Sequence, residues 1–395
     1  MTFFTNRNLN HLVVHATLNA LAFCFSGVFS AVFLLSVGLS LPAIFLVSGT
    51  TLLLRLMLRP LALIIAPAIG LRRTLMLGTL LSGVQFPMLA LVHGIGLALA
   101  AYCFVGALGQ VFYWTTYHAF FSALGDSELR GSQVAERQML GAVAGVLGPA
   151  AGGIMLAAFG PWPAFLTAGV IEIAAIVPLR YVTEPPIART TPAGVYAAAK
   201  IGIWLFVCDG WTISSSMTAW SIIMFRALGT RYDAFGGLLA AAALAGALSG
   251  MLLGRFIDRG HALRLTWVNG AILTGSLVLK AICGEDPLAV IAVAIGTTIV
   301  GGLYIPSLMT AVYNEAKLAP CPLRFQFAAE GGWDAGGMLA CLIAAAICAA
   351  GLPLQIVVLL ALPMALWQTR LLIGSYTTLG TRSRAASGNQ VGRRL

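Results

Sequence analysis

The sequence has very little charge for its length. Only 9% of its 395 residues are Asp, Glu, Lys or Arg, and 59% are hydrophobic, whereas soluble domains carry roughly a quarter charged residues. The mean hydropathy is +0.93. This composition excludes an ordinary soluble enzyme or binding domain and is typical of an integral membrane protein.

Several catalytic motifs are also missing. The sequence contains no HExxH, GxSxG or GxxxxGK[ST] pattern, which mark metalloproteases, serine hydrolases and P-loop nucleotide-driven pumps. Its seven cysteines show no CxxC or Cys/His spacing, and most fall inside apolar runs. We therefore expect no enzyme activity, no cofactor, no metal site and no disulfide.

Continuous apolar runs of about 20 residues or more follow one another along the chain. Such a run spans the roughly 30 Å hydrocarbon core as a helix, and the runs lack the period of two that membrane strands require. The first run is too long for the apolar core of a cleavable signal peptide. The sequence predicts an all-α integral membrane protein with twelve transmembrane helices, near 11–37, 41–66, 74–94, 96–120, 139–159, 161–182, 198–225, 233–256, 262–283, 287–313, 330–350 and 352–375.

The positive charges are distributed unevenly among the loops. If the N-terminus is cytoplasmic, most Lys and Arg residues fall at cytoplasmic ends of spans, and only Arg226, Arg231 and Lys280 fall at the opposite ends. The positive-inside rule therefore predicts that both termini are cytoplasmic. This topology accounts for the net charge of +10, so no nucleic-acid partner is expected.

A polar connection divides the chain near its middle. The segment TEPPIARTTPAG, residues 183–194, contains prolines that cannot continue a helix. We predict an N-terminal six-helix bundle (1–182), a cytoplasmic linker (183–197), a C-terminal six-helix bundle (198–376) and a basic cytoplasmic tail (377–395). The pair Ala135-Glu136 before span five recurs as Ala329-Glu330 before span eleven, which favours two pseudo-symmetric halves.

Charge is concentrated at the end of span eight, where residues 254–260 read GRFIDRG. This segment resembles the cytoplasmic loop motif of the major facilitator superfamily, in which a Gly is followed by an acidic residue, a basic residue and a second Gly. In the first half the motif is degraded, because Pro67 stands where an Asp is expected. The resemblance assigns to the gating motif Gly254, Asp258, Arg259, Gly260 and Arg264.

Span five contains a second motif, GVLGPAAGG at residues 145–153, which is similar to the antiporter motif GxxGPxxGG of the same family. The resemblance implies a gating role and favours efflux by antiport. Glycines also leave bare backbone that a neighbouring helix can approach closely, and proline loosens the preceding turn. Small-residue packing alone is the alternative interpretation. The motif residues are Gly145, Gly148, Pro149, Gly152 and Gly153.

Two pairs of opposite charges are predicted to join the halves at their cytoplasmic ends. The family architecture places the ends of spans five and eight together, which would let Asp258 contact Arg137. Arg59 in span two is expected to contact Glu330 or Asp334 at the start of span eleven, near the inner surface. The alternatives are a solvated basic loop around Asp258 and a snorkelling anchor at Arg59.

Charged residues inside the predicted spans are further candidates, because burying one in hydrocarbon costs at least about 2.5–3.5 kcal/mol. Asp209 lies about ten residues into span seven, followed by Gly210 and several hydroxyl groups. The resemblance places this span at the central cavity, so we predict that Asp209 binds a proton or substrate. A structural pair or helix cap is the alternative for Asp209. Glu172 in span six is a second candidate, although the resemblance places that helix outside the cavity. Arg55 in span two could compensate a carboxylate or meet an anionic substrate, and snorkelling toward the inner face is its alternative.

Span four combines aromatic faces with polar groups, as a ligand cavity requires. At helical spacing three of these residues share one face, although ordinary packing is the alternative interpretation. His118 lies beside this face, and His15 and Asn19 on span one are weaker candidates. The predicted cavity residues are Gln110, Tyr113, Trp114 and Tyr117.

These features predict a proton-coupled secondary transporter of the cell inner membrane. It would export a small organic or amphiphilic compound by alternating access between two six-helix halves. The alternative is an uptake symporter for a small metabolite or sugar; a channel or a receptor would not explain the duplicated halves. The expected partners are a small-molecule substrate, protons and the lipid bilayer, and the chain is expected to act as a monomer.

Overall fold

A computed structural model describes residues 7–124, 130–185, 190–257, 262–301 and 304–391; the side chains at 130–132, 134–135, 138, 250–257, 262–265, 300–301, 304–306 and 377–391 are left out of the description. Every regular element within these ranges is a helix, which confirms the all-α prediction. The helices are α1 (Arg7–Phe25), a 3-10 turn (Gly27–Phe29), α2 (Ser30–Ser36), α3 (Leu41–Leu58), α4 (Pro60–Ile69), α5 (Leu71–Leu89), α6 (Leu97–Leu124), α7 (Arg130–Phe159), α8 (Pro161–Ala174), α9 (Ile176–Leu179), α10 (Val195–Ala198), α11 (Lys200–Ala227), α12 (Tyr232–Ile257), α13 (Ala262–Ile282), α14 (Pro287–Gly301), α15 (Tyr304–Leu318), α16 (Pro322–Ala349), α17 (Leu354–Leu359) and α18 (Leu362–Val391).

Eight helical segments in the described part of the chain are long and apolar enough to cross a bilayer. Helix α11 has the length, at 28 residues, but is less apolar because Asp209 and a run of Ser and Thr residues interrupt it. The total of twelve spans therefore stays a prediction. The eight segments are Arg7–Ser36, Leu41–Leu58, Leu97–Leu124, Met139–Phe159, Pro161–Leu179, Tyr232–Ser249, Pro322–Ala349 and Leu354–Tyr376.

Side chains from neighbouring helices satisfy carbonyl groups where helices break. Helix α8 ends before Ala175, and the Ala175 carbonyl accepts a hydrogen bond from His15 Nδ1 at 2.8 Å. Helix α17 ends before Leu360, whose carbonyl accepts from Trp211 Nε1 at 2.8 Å. Because water is scarce inside a bilayer, such bonds make interrupted helices tolerable there.

The two ends of the helix bundle are distinguished by different contacts. At one end, the Thr183 amide donates to Asn8 Oδ1 at 3.2 Å and the Arg72 amide donates to Glu184 Oε1 at 3.3 Å; we call this the Asn8 end. At the other end, which we call the Tyr232 end, aromatic rings of the 3-10 turn, α11 and α12 pack with centroid distances of 5.2–6.3 Å. Those rings are Phe29, Phe225, Tyr232 and Phe235.

Two pairs of long helices join the helices that precede the polar connection at residues 183–194 (α1–α9) to the helices that follow it (α10–α18). Helix α3 packs along α16, and α7 packs along α12, with α6 and α15 making smaller contributions. The most extensive contacts within the two groups are those of α5 with α6 and of α11 with α16. Helix α16 therefore belongs to both kinds of contact, since it packs on α11 within its group and on α3 across the groups.

Helix α16 begins earlier than the sequence predicts. Span eleven was expected to start at residue 330, but Pro322 is the first residue of the helix. Glu330 and Asp334 therefore lie eight and twelve residues inside α16, about 12 and 18 Å from its start at 1.5 Å per residue. The predicted start of span eleven at residue 330 is therefore wrong, because polar residues precede the apolar run within the same helix, and the location of the two acids near the inner surface stays a prediction.

The glycines of the α7 motif lie at close helix contacts. A Cβ atom at Gly148 would lie 2.6 Å from Cys24 Cβ, and one at Gly152 would overlap the Phe25 carbonyl of α1. On the opposite side, a Cβ at Gly153 would overlap the Tyr232 carbonyl of α12. Gly145 differs, since a Cβ there would have an ordinary 3.5 Å contact with Ala243 Cβ. Helix α7 is thus held between α1 and α12 by backbone-to-backbone packing.

We predict that Gly153→Ala lowers the free energy of unfolding by about 1–3 kcal/mol, because the added methyl must push α7 away from α12. Gly145→Ala is the matched control and should be neutral or slightly stabilising, since alanine has the higher helix propensity. Thermal unfolding of both variants in detergent provides the measurement. Equal stability of the two variants would contradict the packing account.

Candidate functional site

Two arginines and two acids face each other where α3 meets α16. Arg55 lies in the last turn of α3 and Arg59 separates α3 from α4. Glu330 and Asp334 are likewise four residues apart on α16, so each helix presents its pair on one face. Their exposed fractions are 3%, 1%, 4% and 0%. The sequence therefore places four charged groups on two facing surfaces, out of contact with water.

Arg59 is held by partners from two helices. Its Nε donates to Asp334 Oδ2 at 3.1 Å, and its Nη2 also contacts this oxygen. Nη1 donates to Thr115 Oγ1 of α6 at 3.0 Å, and Nη2 lies 3.9 Å from Glu330 Oε2. The structure thus brings Arg59 to both acids that the sequence nominated, although a role for this contact in gating remains a prediction.

Arg55 makes a parallel set of contacts one turn earlier. Its Nη2 lies 2.9 Å from Asp334 Oδ1 and 3.5 Å from Glu330 Oε2, and its Nη1 donates to Gln110 Oε1 at 2.8 Å. The guanidinium carbon also lies 5.0 Å from the centre of the Trp333 ring, within range of a cation–π interaction. Both arginines therefore bridge α16 and α6.

His118 extends the cluster toward α15. Its Nε2 lies 3.3 Å from Glu330 Oε1, and its Nδ1 lies 2.6 Å from the Tyr313 hydroxyl. The Trp114 ring stacks on the imidazole at a centroid distance of 5.3 Å. Sequence reasoning missed Tyr313 and Thr115, because a hydroxyl group in an apolar helix gives no signal comparable to that of a charge.

Asp209 joins the cluster indirectly, through Trp333. The indole Nε1 of Trp333 donates to Asp209 Oδ2 at 3.0 Å, and the same ring lies beside Arg55. We call the complete set the interface network. Its members are Arg55, Arg59, Gln110, Thr115, His118, Asp209, Tyr313, Glu330, Trp333 and Asp334.

Tyr113, Tyr117 and Arg137 adjoin this network. Tyr113 and Tyr117 are buried and stack on each other at 5.7 Å, and the Tyr117 ring lies 5.5 Å from the His118 ring. The Arg137 guanidinium lies 5.2 Å from the centre of the Tyr117 ring. Glu172 differs, because it accepts a hydrogen bond from Asn19 of α1.

The contact between Asp258 and Arg137 stays a prediction, because Asp258 lies outside the described residues, as do Arg259 and Gly260. The backbone of Gly254 is part of α12 and that of Arg264 is part of α13, but their side chains fall among those that are left out. The role of this loop motif stays a prediction.

The two arginines of the interface network and the two acids of α16 compensate one another's charges. Each arginine has a carboxylate oxygen within 3.1 Å. Thr115 accepts a further hydrogen bond from Arg59, and Gln110 accepts one from Arg55. Moving ions out of water is costly, so such a cluster is stable only when every member is paired. Loss of one charge would leave its partner unpaired in a low-dielectric region, which makes the α3–α16 contact sensitive to protonation or ligand binding.

Comparison with known proteins identifies the family. The sequence model of the Major Facilitator Superfamily matches residues 13–320. The chain belongs to this superfamily of membrane transporters. It is therefore a multi-pass membrane protein, and the resemblance inferred from its sequence is confirmed. A search of curated proteins finds no significant match.

Solved structures of similar fold come from transporters that are named for different substrates. The human organic anion transporter MFSD10 (TETRAN) has a TM-score of 0.65 and 14% identity, with 93% of this chain and 99% of that chain covered. A variant of the E. coli fucose:proton symporter FucP has a TM-score of 0.64 and 11% identity, with 94% of this chain and 99% of that chain covered. A variant of the nucleoside transporter NupG has a TM-score of 0.62 and 10% identity, with 93% of this chain and 99% of that chain covered. At these identities the likeness establishes the fold alone.

Removing one acid from the network should be far more damaging than removing an exposed one. We predict that Asp334→Asn lowers the free energy of unfolding by about 3–5 kcal/mol, because Arg55 and Arg59 lose a shared partner. Asp233→Asn is the control: Asp233 pairs with Arg231 at the surface, where the pair is solvated, so no measurable change is expected. Chemical unfolding in mixed micelles compares the two, and equal losses would refute a dependence of the fold on the network.

Proposed function

We propose that the protein is a proton-coupled secondary transporter that moves a small organic compound by alternating access. The observation that carries this proposal is the interface network, a fully buried set of charges joining α3 to α16. Buried ionisable groups inside a membrane are costly, and they most often mark transport pathways and proton relays. In this proposal residues 1–182 and 198–376 form two six-helix halves, and the basic Asn8 end faces the cytoplasm.

The contacts between the groups support a rocking motion. Charges hold α3 against α16, whereas glycine backbones hold α7 against α12. A contact without interlocking side chains can slide, and a contact between charges can separate when its ions are neutralised or hydrated. Opening the bundle toward either side would part α3 from α16 while α7 pivots on α12, as in transporters built from repeated halves.

Glu330 has the contacts expected of a coupling residue. It touches His118 on one side and both arginines on the other, so its protonation would weaken the ion pairs and change the hydrogen bond to the imidazole. Asp209, the candidate favoured by the sequence, accepts a hydrogen bond from Trp333, whose ring lies beside Arg55. We propose that Glu330 carries the coupling proton and that Asp209 orients Trp333.

The substrate site is proposed to lie beside the network. Gln110, Trp114 and Trp333 are only partly buried, and they offer an amide and two indole rings next to charged groups. Aromatic surfaces with few polar anchors are typical of small-molecule sites. Efflux by antiport is the favoured direction, because the α7 segment GVLGPAAGG resembles the antiporter motif of the family. Uptake by symport is the second candidate, because one structure of similar fold is named a proton symporter.

Proton movement in liposomes tests coupling and direction together. The protein is reconstituted with a pH-sensitive dye in the lumen, and organic anions, nucleosides, sugars and amphiphilic cations are added outside one at a time. Antiport predicts that a substrate makes the lumen alkaline, and symport predicts that it makes the lumen acidic. Glu330→Gln should abolish the signal, whereas the exposed control Glu285→Gln should retain it. Labelled substrate that accumulates without any pH change would contradict proton coupling.

The network should also bias the protein between its open forms. Ser122 on α6 is buried and hydrogen-bonded to Gln326 on α16, so a cysteine there reports opening of the Asn8 end. In a background without native cysteines, Arg59→Glu should raise the maleimide labelling rate of Ser122→Cys by about 5–150-fold, the usual scale of coupling between states. The charge-swapped pair Arg59→Glu with Asp334→Arg should restore part of the protection. Unchanged labelling in both variants would mean that the network does not bias the equilibrium between the open forms and serves only in packing.

A further inference from the structure

Glu172 is an isolated carboxyl group buried among α1–α9. It lies eleven residues into α8, about 17 Å from the start of the helix, and its exposed fraction is 0%. Oε1 accepts a hydrogen bond from Asn19 Nδ2 of α1 at 2.7 Å. Oε2 is buried without a hydrogen-bond partner. An ionised carboxylate in this position would leave one oxygen unsolvated.

His15 presents a second unsatisfied atom at the same helix contact. Its Nδ1 lies 2.8 Å from the Ala175 carbonyl. Because a carbonyl oxygen only accepts, this nitrogen carries the hydrogen, and the Nε2 of a neutral imidazole is then an acceptor. Nε2 is buried without a partner. His15 precedes Asn19 by one turn on α1, and Ala175 follows Glu172 by one turn, so Nε2 and Oε2 belong to adjoining turns of one contact.

Few other titratable groups lie near this contact. On α1 they include His11, one turn before His15 and 5.3 Å from the Tyr181 ring, and Cys24. The Tyr113 and Tyr117 rings of α6 lie 5.5 and 6.3 Å from the His15 imidazole. The Arg137 guanidinium lies 5.2 Å from the centre of the Tyr117 ring. Helices α5, α7 and α9 also pack on α8, but residues 74–89, 139–159 and 176–179 contain no titratable side chain. Among the described residues, no Lys or Arg forms an ion pair with Glu172.

We propose that Glu172, Asn19 and His15 form a proton-binding site within α1–α9, separate from the interface network, and that Glu172 Oε2 carries the proton in this conformation. The neutral acid removes the uncompensated charge that burial penalises. Its Oε1 remains the carbonyl oxygen that accepts from Asn19. Its Oε2–H becomes a donor that reaches the acceptor His15 Nε2 through one water molecule, since the two atoms are too far apart for a direct hydrogen bond. One bound proton and one water molecule therefore account for both unsatisfied atoms.

The location of this site links its proton to helix packing. Helices α1 and α8 close over Glu172 and His15, so the proton leaves only when this contact loosens or when His15 accepts it. Helix α1 also contacts the glycines of α7 through Cys24 and Phe25. A change of protonation at Glu172 thus acts on the same helix that packs against the α7 motif, without involving Glu330.

Infrared spectroscopy of the purified, substrate-free protein tests the site directly. At about pH 8 solvent-exposed carboxyl groups are ionised, so a carboxylic acid C=O band reports buried protonated acids. We expect one such band, which Glu172→Gln abolishes and Glu330→Gln retains. Gln keeps the acceptor for Asn19, and thermal unfolding shows whether the variant is folded.

A second variant tests the site without replacing Glu172 itself. Asn19→Leu removes the donor to Oε1, so the Glu172 band should persist and move to higher frequency. A protein without an acid band, or a band that persists unchanged in Glu172→Gln, would overturn the proposal. A band abolished by Glu330→Gln alone would do the same, while leaving the proposed coupling role of Glu330 intact.

Discussion

The pairing of two arginines with two acids across α3 and α16 is the constraint on which the rest of this structure depends. Four charged groups with exposed fractions of 4% or less cannot be left without partners inside a membrane, because each unpaired ion would cost several kcal/mol. The pairing fixes which faces of the two helices meet and at what depth. It also draws Thr115, Gln110 and His118 of α6 into contact with α16. Proton or substrate chemistry at this place therefore acts on the contact between the two helix groups.

Glycine backbones form close contacts within each helix group, as they do between α7 and α12 across the groups. A Cβ at Gly210 or Gly336 would overlap backbone carbonyls between α11 and α16, and one at Gly78 would lie 2.5 Å from the Tyr113 amide between α5 and α6. Such backbone contacts are dense and contain no group that can be neutralised. Each group is therefore expected to move as a unit, while the charged contact between α3 and α16 separates and re-forms. Helix α16 transmits this motion, because its two faces pack on α11 and on α3.

Much of the fold could be predicted because membranes restrict what a chain can do. Long apolar runs correspond to eight of the helical segments, and Arg59 could be matched to Glu330 or Asp334 because so few charges lie inside the spans. The position of those acids within their helix could not be predicted, since α16 begins with Pro322 and polar residues that hydropathy alone assigns to a loop. The partner of Glu172 was equally hidden, because the amide of Asn19 resembles any other polar residue in an apolar helix. Hydropathy indicates which segments insert into the membrane. The partner of a buried side chain depends instead on how its helix is rotated and on which helices lie next to it.

A reversible cross-link between α3 and α16 tests the central claim most directly. A Cβ at Gly49 would lie 3.2 Å from Cys341 Cβ, close to the spacing of a disulfide, and both positions lie toward the Tyr232 end. In Gly49→Cys, with the other native cysteines replaced, oxidation should stop substrate-dependent proton movement in liposomes and reduction should restore it. Gly49→Cys with Cys341→Ala controls for the substitution itself. Full activity while the disulfide is shown to be formed would mean that α3 and α16 do not separate at this end during transport, and would contradict the account.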